Sequence, residues 1–130
     1  MKQELEESLA KEFPRVIGGY RDMACGDGWY GLLRDLCAGI DKVLSPADKF
    51  VVEQIKEKFA GLRFYWTCQG LTEEVHGKIW GLVGVAEEAS YKTCEVCGEP
   101  GVARSASWLR TLCEKHAEGK PPARGFGWHE

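Results

Sequence analysis

The spacing of hydrophobic positions predicts two amphipathic helices in the first third of the chain. Over residues 1 to 13, apolar residues recur every four positions, and Pro14 ends the pattern. Over residues 29 to 44 they follow a 3.6-residue period in one continuous stripe. The apolar positions are Leu5, Leu9 and Phe13 in the first segment and Trp29, Leu32, Leu33, Leu36, Cys37, Ile40, Val43 and Leu44 in the second. We expect the second segment to be the central core helix, with Asp27 as its N-cap.

A third helix is predicted after Thr72, whose side chain suits an N-cap position. Its apolar stripe comprises Val75, Ile79, Leu82, Val83, Ala86 and Ala89. The same segment contains Gly77, Gly81 and Gly84, spaced three or four residues apart. We expect these glycines to form a groove for close helix–sheet packing, although each weakens the helix by about 1 kcal/mol relative to alanine.

Residues 50 to 67 change to a β pattern, with aromatic and β-branched residues on both sides of a turn that contains Gly61. This composition predicts a β-hairpin. In its second strand, one face comprises Leu62, Phe64 and Trp66, and the other comprises Arg63, Tyr65 and Thr67. A helical interpretation of residues 47 to 60 also stays open, because several of their apolar positions nearly fit the helical period.

Composition and charge narrow the functional classes. The 130 residues suit one domain, and 44% are hydrophobic, which argues against a disordered chain. With 17 Lys and Arg against 20 Asp and Glu, the net charge of −3 argues against binding nucleic acid or anionic membranes by bulk charge. The sequence shows neither a membrane-spanning run nor a signal peptide, so we expect a cytoplasmic protein with reduced thiols.

Four residues near the C-terminus have the spacing of a structural zinc site. Cys94 and Cys97 form one pair, Cys113 and His116 form the other, and fifteen residues separate the pairs. Three thiolates and one imidazole fill a tetrahedral shell and leave no open position for catalysis. Gly98 follows the first pair, where such a turn commonly needs a positive φ.

Two other interpretations of these cysteines stay open: reduced core residues, or a redox-active Cys-x-x-Cys pair. The remaining cysteines are Cys25, Cys37 and Cys68, and no spacing among them supports a second metal site. Cys37 lies on the core stripe of the second helix.

The predicted hairpin also carries a candidate ligand-binding face. Lys56, Lys58, Arg63 and Tyr65 place cationic donors beside aromatic rings, which suits phosphate and base recognition. The alternative is an ordinary solvated sheet face with Lys–Glu pairs.

Two resemblances follow from these motifs. A Cys-x-x-Cys turn, a short hairpin and ligands at the start of a helical turn over Cys113 to Ala117 resemble a treble-clef zinc finger. The second resemblance is carried by three segments: Gly26-Asp27-Gly28-Trp29-Tyr30, residues 54 to 65, and the segments around Cys94, Cys97 and Cys113. In combination they resemble small, mostly uncharacterised proteins encoded by phages and prophages. That resemblance implies an accessory protein that acts in an infected bacterium, but it implies no specific activity.

The sequence therefore predicts an α+β fold with three helices, a β-hairpin and a C-terminal treble-clef-like zinc unit. We expect a core over residues 1–90, the zinc unit over 91–118 and a tail over 119–130. The leading functional hypothesis is a non-enzymatic, phage-type counter-defence protein that binds a host protein or sequesters a small phosphorylated nucleotide. The alternatives are a nucleic-acid-binding zinc module and an enzyme for which no catalytic cluster is evident. Association into a homo-oligomer through exposed tryptophans also stays open.

Overall fold

The fold is α+β, as predicted, with three helices and an antiparallel hairpin. The computed structural model describes residues 1 to 105 and 109 to 123. The elements are α1 (Gln3–Glu12), α2 (Tyr30–Val43), β1 (Lys49–Lys58), β2 (Gly61–Gln69), α3 (Glu73–Ser90), β3 (Val102–Arg104) and β4 (Arg110–Leu112). β1 pairs with β2 and β3 pairs with β4, both antiparallel, in two separate sheets. Within the described residues, no helix is long and apolar enough to cross a membrane.

One hydrophobic core lies between the helices and the β1–β2 hairpin. Trp29, Leu33 and Ile40 of the second predicted stripe are fully buried, as are Ile55 of β1 and Ile79 of α3. The sequence periodicity therefore identified the core-facing side of α2 correctly. A smaller cluster, comprising Cys94, Leu112 and Cys113, forms the interior of the C-terminal unit.

The two predicted helix caps have different outcomes. The Thr72 hydroxyl accepts the backbone N–H of Val75 at 3.2 Å, which confirms the N-cap of α3. The prediction for Asp27 is wrong, because no side chain caps α2 and Asp27 opens a single 3-10 turn instead. The Asp27 carboxylate accepts the backbone N–H of Lys2 at 2.8 Å, so it ties the chain start to this turn.

The hairpin is confirmed, and the helical interpretation of residues 47 to 60 is wrong. A β-bulge between Val52 and Gln54 shifts the register, so inward-facing Val52 is followed by inward-facing Ile55 rather than residue 54. This three-residue step interrupts the alternation and is the reason why the apolar spacing also fitted a helix.

The hairpin turn does not use glycine as expected. Phe59 and Ala60 form the two-residue loop with φ of 53° and 71°, in the left-handed region that usually favours Gly or Asn. Gly61 is already the first residue of β2, and a methyl group there would overlap the ring of Tyr91. Gly61 is therefore required by close packing, while the non-glycine turn stores strain of about 1–2 kcal/mol per residue.

The glycines of α3 do not form the predicted packing groove. A methyl group at Gly77, Gly81 or Gly84 would meet no atom within 4 Å. They lie on a solvent-facing side of α3 that also carries Trp80 and Val85, which are 57% and 69% exposed. Close packing therefore does not explain these glycines in the isolated chain.

Substitutions at two glycines are expected to have opposite effects. Gly81→Ala should raise the free energy of unfolding by up to about 1 kcal/mol, because alanine favours the helix and meets no neighbour. Gly61→Ala should lower it, because the methyl group collides with Tyr91. Urea denaturation of both variants measures the two shifts. A stabilising Gly61→Ala would contradict the packing explanation.

Candidate metal centre

The four predicted ligands converge at one point. The Sγ atoms of Cys94, Cys97 and Cys113 and a ring nitrogen of His116 all lie within 4.8 Å of one another. The Cys97 and Cys113 sulfurs are 3.7 Å apart, and Nδ1 of His116 lies 3.7 Å from the Cys94 sulfur and 3.2 Å from the Cys113 sulfur. Among the residues that the structure describes, no other His, Cys, Asp or Glu joins this group. A Cys₃His cluster of this compactness could hold a metal ion.

The first pair of ligands lies in a tight turn. The Cys94 carbonyl accepts the N–H of Gly98 at 2.9 Å, and the Cys94 N–H donates to the carbonyl of Glu99 at 2.7 Å. Gly98 has φ of 83°, which confirms the predicted positive φ after the first pair. We call residues 94 to 98 the knuckle.

The second pair follows the β3–β4 hairpin. β4 ends at Leu112, so Cys113 projects directly from the strand end. Cys113 to Ala117 forms turns rather than the expected start of a helix. Glu118 and Gly119 both have positive φ, of 52° and 80°, and reverse the chain before a helix can begin. The unit thus shares the order of a treble clef but lacks its helix within the described residues.

Burial and backbone dipoles set the state of the innermost thiol. Cys94 is fully buried, Cys113 is nearly so, His116 is half-buried and Cys97 is exposed. Burial by itself would raise the pKa of Cys94, but hydrogen bonds from the backbone N–H groups of Cys113, Cys97 and Val96 outweigh it and lower the pKa to about 6. The site is therefore preorganised for a thiolate.

The knuckle packs directly on the loop that precedes α2. The N–H of Gly28 donates to the carbonyl of Glu95 at 2.8 Å, and Nε1 of Trp29 donates to the carbonyl of Thr93 at 2.9 Å. A methyl group at Gly28 would overlap the carbonyl oxygen of Cys94. Gly28 is thus a docking residue of the metal unit. From the sequence, Gly28 was named only as part of the string Gly26-Asp27-Gly28-Trp29-Tyr30, and this contact was not predicted.

Glu95 makes a second connection between the knuckle and the core. It is only 5% exposed, and its carboxylate accepts the N–H of Gly26 at 2.8 Å and Nε of Arg110 at 3.3 Å. A buried carboxylate needs such partners to offset its lost hydration. No sequence pattern predicts this contact, because Glu95 resembles any other residue between two cysteines.

A third connection joins β4 to the hairpin turn. The buried Thr111 hydroxyl donates to the carbonyl of Ala60 at 2.7 Å. The N–H of Ala60 donates to the Glu57 carboxylate at 2.9 Å. The strained turn of Phe59 and Ala60 is therefore held from both sides.

The four candidate ligand-binding residues share the outward face of the hairpin. Lys56 lies directly opposite Arg63 in the β1–β2 register, and the Nζ of Lys56 is 6.0 Å from the centre of the Tyr65 ring. Lys58 is one position along the same face, with its Nζ 5.4 Å from the Phe59 ring centre. The guanidinium of Arg63 also donates to the Tyr91 hydroxyl at 3.3 Å. The structure thus assembles these residues, separately from the four metal ligands.

The remaining cysteines lie outside the metal cluster. Cys25 and Cys37 are buried, and burial raises the pKa of each thiol to about 12. This location confirms Cys37 as a core residue, and Cys68 is half-buried on β2. The six cysteines are all within the described residues, and none forms a disulfide.

Disturbing the docking contact should weaken the metal unit. Gly28→Ala is expected to lower the melting temperature and to speed release of bound metal to a chromogenic chelator, because the methyl group overlaps the Cys94 carbonyl. Gly31→Ala is the matched control, because a methyl group there meets nothing within 4 Å. Equal metal-release rates in the two variants would contradict this role of Gly28.

Comparison with known proteins yields no significant match. No protein-family profile, no curated protein and no solved structure matches the chain.

Proposed function

We propose that the Cys₃His cluster holds a structural Zn²⁺ ion. Zn–S bonds of about 2.3 Å and a Zn–N bond of about 2.0 Å place tetrahedral ligand atoms about 3.5 to 3.8 Å apart. The distance of 3.7 Å between the Cys97 and Cys113 sulfurs fits this shell, and the distances of 3.7 and 3.2 Å from Nδ1 of His116 to the sulfurs of Cys94 and Cys113 bracket the sulfur–nitrogen value. Cys94, Cys97, Cys113 and His116 would fill all four positions, so the ion would stabilise the fold rather than activate water.

The C-terminal unit has only a small hydrophobic core of its own. Its buried hydrophobic cluster contains only Cys94, Leu112 and Cys113, whereas the main core contains residues from all three helices and the hairpin. Metal-binding energy therefore counts as folding energy in this unit.

Removing one thiolate should separate the stability of the unit from that of the core. Cys113→Ser is expected to abolish the one-to-one zinc content and to unfold the segment from residue 91 onward, while the core retains its helical signal. Cys68→Ser is the control, because it removes a half-buried thiol outside the cluster. Elemental analysis and two-dimensional NMR measure both effects. Unchanged folding of Cys113→Ser without zinc would contradict a structural metal.

For function, we propose a non-enzymatic binding protein whose hairpin face takes a small phosphorylated nucleotide. The observation that carries this proposal is the placement of Lys56 directly opposite Arg63. Like charges on facing strand positions repel each other, and neither side chain forms an ion pair within the described residues. A bound phosphate would relieve this repulsion through charge-assisted hydrogen bonds.

The aromatic ring beside these cations supports a nucleotide rather than phosphate alone. Tyr65 is 47% exposed, and its ring lies next to the Lys56 ammonium group. An exposed ring can stack on a base while the cations contact the phosphate. Lys58, beside Phe59, extends the same surface.

The biological setting that we propose is the bacterial cytoplasm during phage infection. The resemblance to phage-encoded proteins supports it, and the six unpaired cysteines suit a reducing compartment. In that setting, sequestering a nucleotide signal or binding a host protein through the same face would counter a host defence.

A second candidate is a nucleic-acid-binding zinc module. The two exposed rings, Tyr65 and Phe59, each with a lysine nearby, favour it, because successive bases of a single strand can stack on such rings. The net charge of −3 weighs against it. Salt dependence separates the candidates, since single-strand binding weakens with a log–log slope of about −0.7 per neutralised phosphate.

Affinities for a fluorescent adenine nucleotide and for a short oligothymidylate test whether the outward hairpin face binds a ligand. Lys56→Ala and Arg63→Ala should each reduce nucleotide affinity about tenfold, or about 1.4 kcal/mol, by removing a charge-assisted contact. Lys78→Ala is the control, because Lys78 is exposed on α3 and paired with Glu74. Affinity that is unchanged in both hairpin variants would exclude this face. Tighter, strongly salt-dependent oligonucleotide binding would favour the second candidate.

A further inference from the structure

The two outer edges of the β1–β2 hairpin are treated differently by the fold. The edge of β1 is covered by Ala24, whose N–H donates to the carbonyl of Ile55 at 3.0 Å and whose carbonyl accepts the N–H of Glu57 at 2.9 Å. On the edge of β2, the backbone N–H of Leu62 has a partner, because it donates to the Ser90 hydroxyl at 2.9 Å. Beyond Leu62, the structure leaves this edge open.

The backbone N–H groups of a strand point alternately to its two sides, and this alternation identifies the groups of β2 that face away from β1. Because the N–H of Leu62 points away from β1, those of Phe64, Trp66 and Cys68 point the same way. Within the described part of the chain, these three residues form no backbone hydrogen bond outside the β1–β2 ladder. The edge therefore offers several donors and acceptors in a row.

This edge lacks the features that normally protect exposed strands. The segment Phe64-Tyr65-Trp66-Thr67-Cys68 has no charge, proline or glycine and consists largely of strong β-formers. Exposed edges in monomeric proteins usually carry lysine, proline or a bulge, and here the bulge lies on β1. β1 itself contains five charged residues. β1 is thus covered around Ile55 and Glu57 and carries charges, whereas residues 64 to 68 of β2 have neither form of protection.

The helix beside this edge also has an unpartnered apolar side. α3 packs against β2 and α2. The ring centre of its Trp80 lies 4.7 Å from the ring centre of Trp66. Together with Phe64 and His76, these rings line a groove of about 370 Å³ beside the open edge. Farther along α3, Val85 is 69% exposed, and the glycines at 77, 81 and 84 leave open space. The exposed side of α3 therefore carries two large apolar side chains, Trp80 and Val85, among charged residues such as Lys78.

We propose that a second copy of this chain covers the edge, through antiparallel pairing of β2 with β2. A two-fold axis through Trp66 would place Phe64 opposite Cys68 of the second copy and create a continuous four-stranded sheet. The absence of charge favours the second copy, because a strand placed opposite itself then meets no like charge. Both copies of α3 would lie on the same face of this sheet.

This pairing goes beyond the proposed ligand-binding role and does not depend on it. It would place both copies of Lys56 and Arg63 on the same outward face of one sheet. The tryptophan cluster of each copy would be shielded by the other.

Sedimentation equilibrium and native mass spectrometry of the full-length zinc-loaded chain test the proposal first. We expect a dimer that dissociates on dilution. Hydrogen exchange of the same protein should show the amides of Phe64, Trp66 and Cys68 protected at high concentration and rapidly exchanging after dilution. A monomer at all concentrations, or a dimer whose three amides exchange rapidly, would overturn the proposal. A monomer would instead favour an extended peptide of another protein as the partner of this edge.

Cys68→Pro and Cys68→Ala form a matched pair for the same test. Proline at residue 68 removes an N–H that faces the open edge and leaves the β1–β2 ladder intact, so it should weaken the dimer at least about tenfold. Alanine removes the thiol but keeps the N–H, so the dimer should persist. Equal dimerisation of the two folded variants would overturn edge pairing. The hydrogen-exchange result on the unmodified chain decides the question if the proline variant does not fold.

Discussion

The close backbone contact between the knuckle and the loop before α2 is the constraint on which the rest of the structure depends. Gly26 and Glu95, which take part in it, lie 69 residues apart in the chain. Gly28 permits the approach, Trp29 anchors it with its indole N–H, and Glu95 provides a buried acceptor. Each such hydrogen bond contributes only about 0.5–1.5 kcal/mol net, so the contact depends on steric fit as much as on polar pairing. The C-terminal unit is thereby attached to the segment that leads into α2.

Features that depend on local spacing could be predicted from the sequence, whereas this long-range contact could not. The cluster of Cys94, Cys97, Cys113 and His116 could be predicted because residues that can hold one metal ion follow a local and recognisable spacing. The buried stripe of α2 was readable because helical periodicity is also local. The docking role of Gly28 was not readable, since it exists only relative to a carbonyl far away in sequence. A glycine in a loop looks like a simple breaker until its neighbour is known.

The wrong predictions for the hairpin and for α3 have the same physical origin. The bulge between Val52 and Gln54 is a single extra residue, but it reverses the side-chain alternation and made a strand resemble a helix. At Gly61, the tight neighbour is Tyr91, so the glycine next to the turn serves packing, while Phe59 and Ala60 adopt the unusual turn conformation. The glycines of α3 suggested close packing, but the isolated chain offers them no neighbour. The sequence marked the glycines as unusual backbone positions but left their neighbours undetermined, and it gave no indication of the bulge or of the left-handed turn residues.

The strained turn connects the metal unit with the hairpin face. Thr111 belongs to β4, immediately before the metal-ligand segment at Cys113, and its hydroxyl fixes the carbonyl of Ala60. Ala60 lies between the strands that carry Lys56 and Arg63, so the spacing of these two cations depends on a turn that the sequence alone does not favour. Because left-handed Phe59 and Ala60 each cost about 1–2 kcal/mol, a turn released from Thr111 would relax toward other conformations. A metal ion held in the Cys₃His cluster would therefore stabilise the proposed ligand-binding face from a distance, through one hydrogen bond and the steric fit that surrounds it.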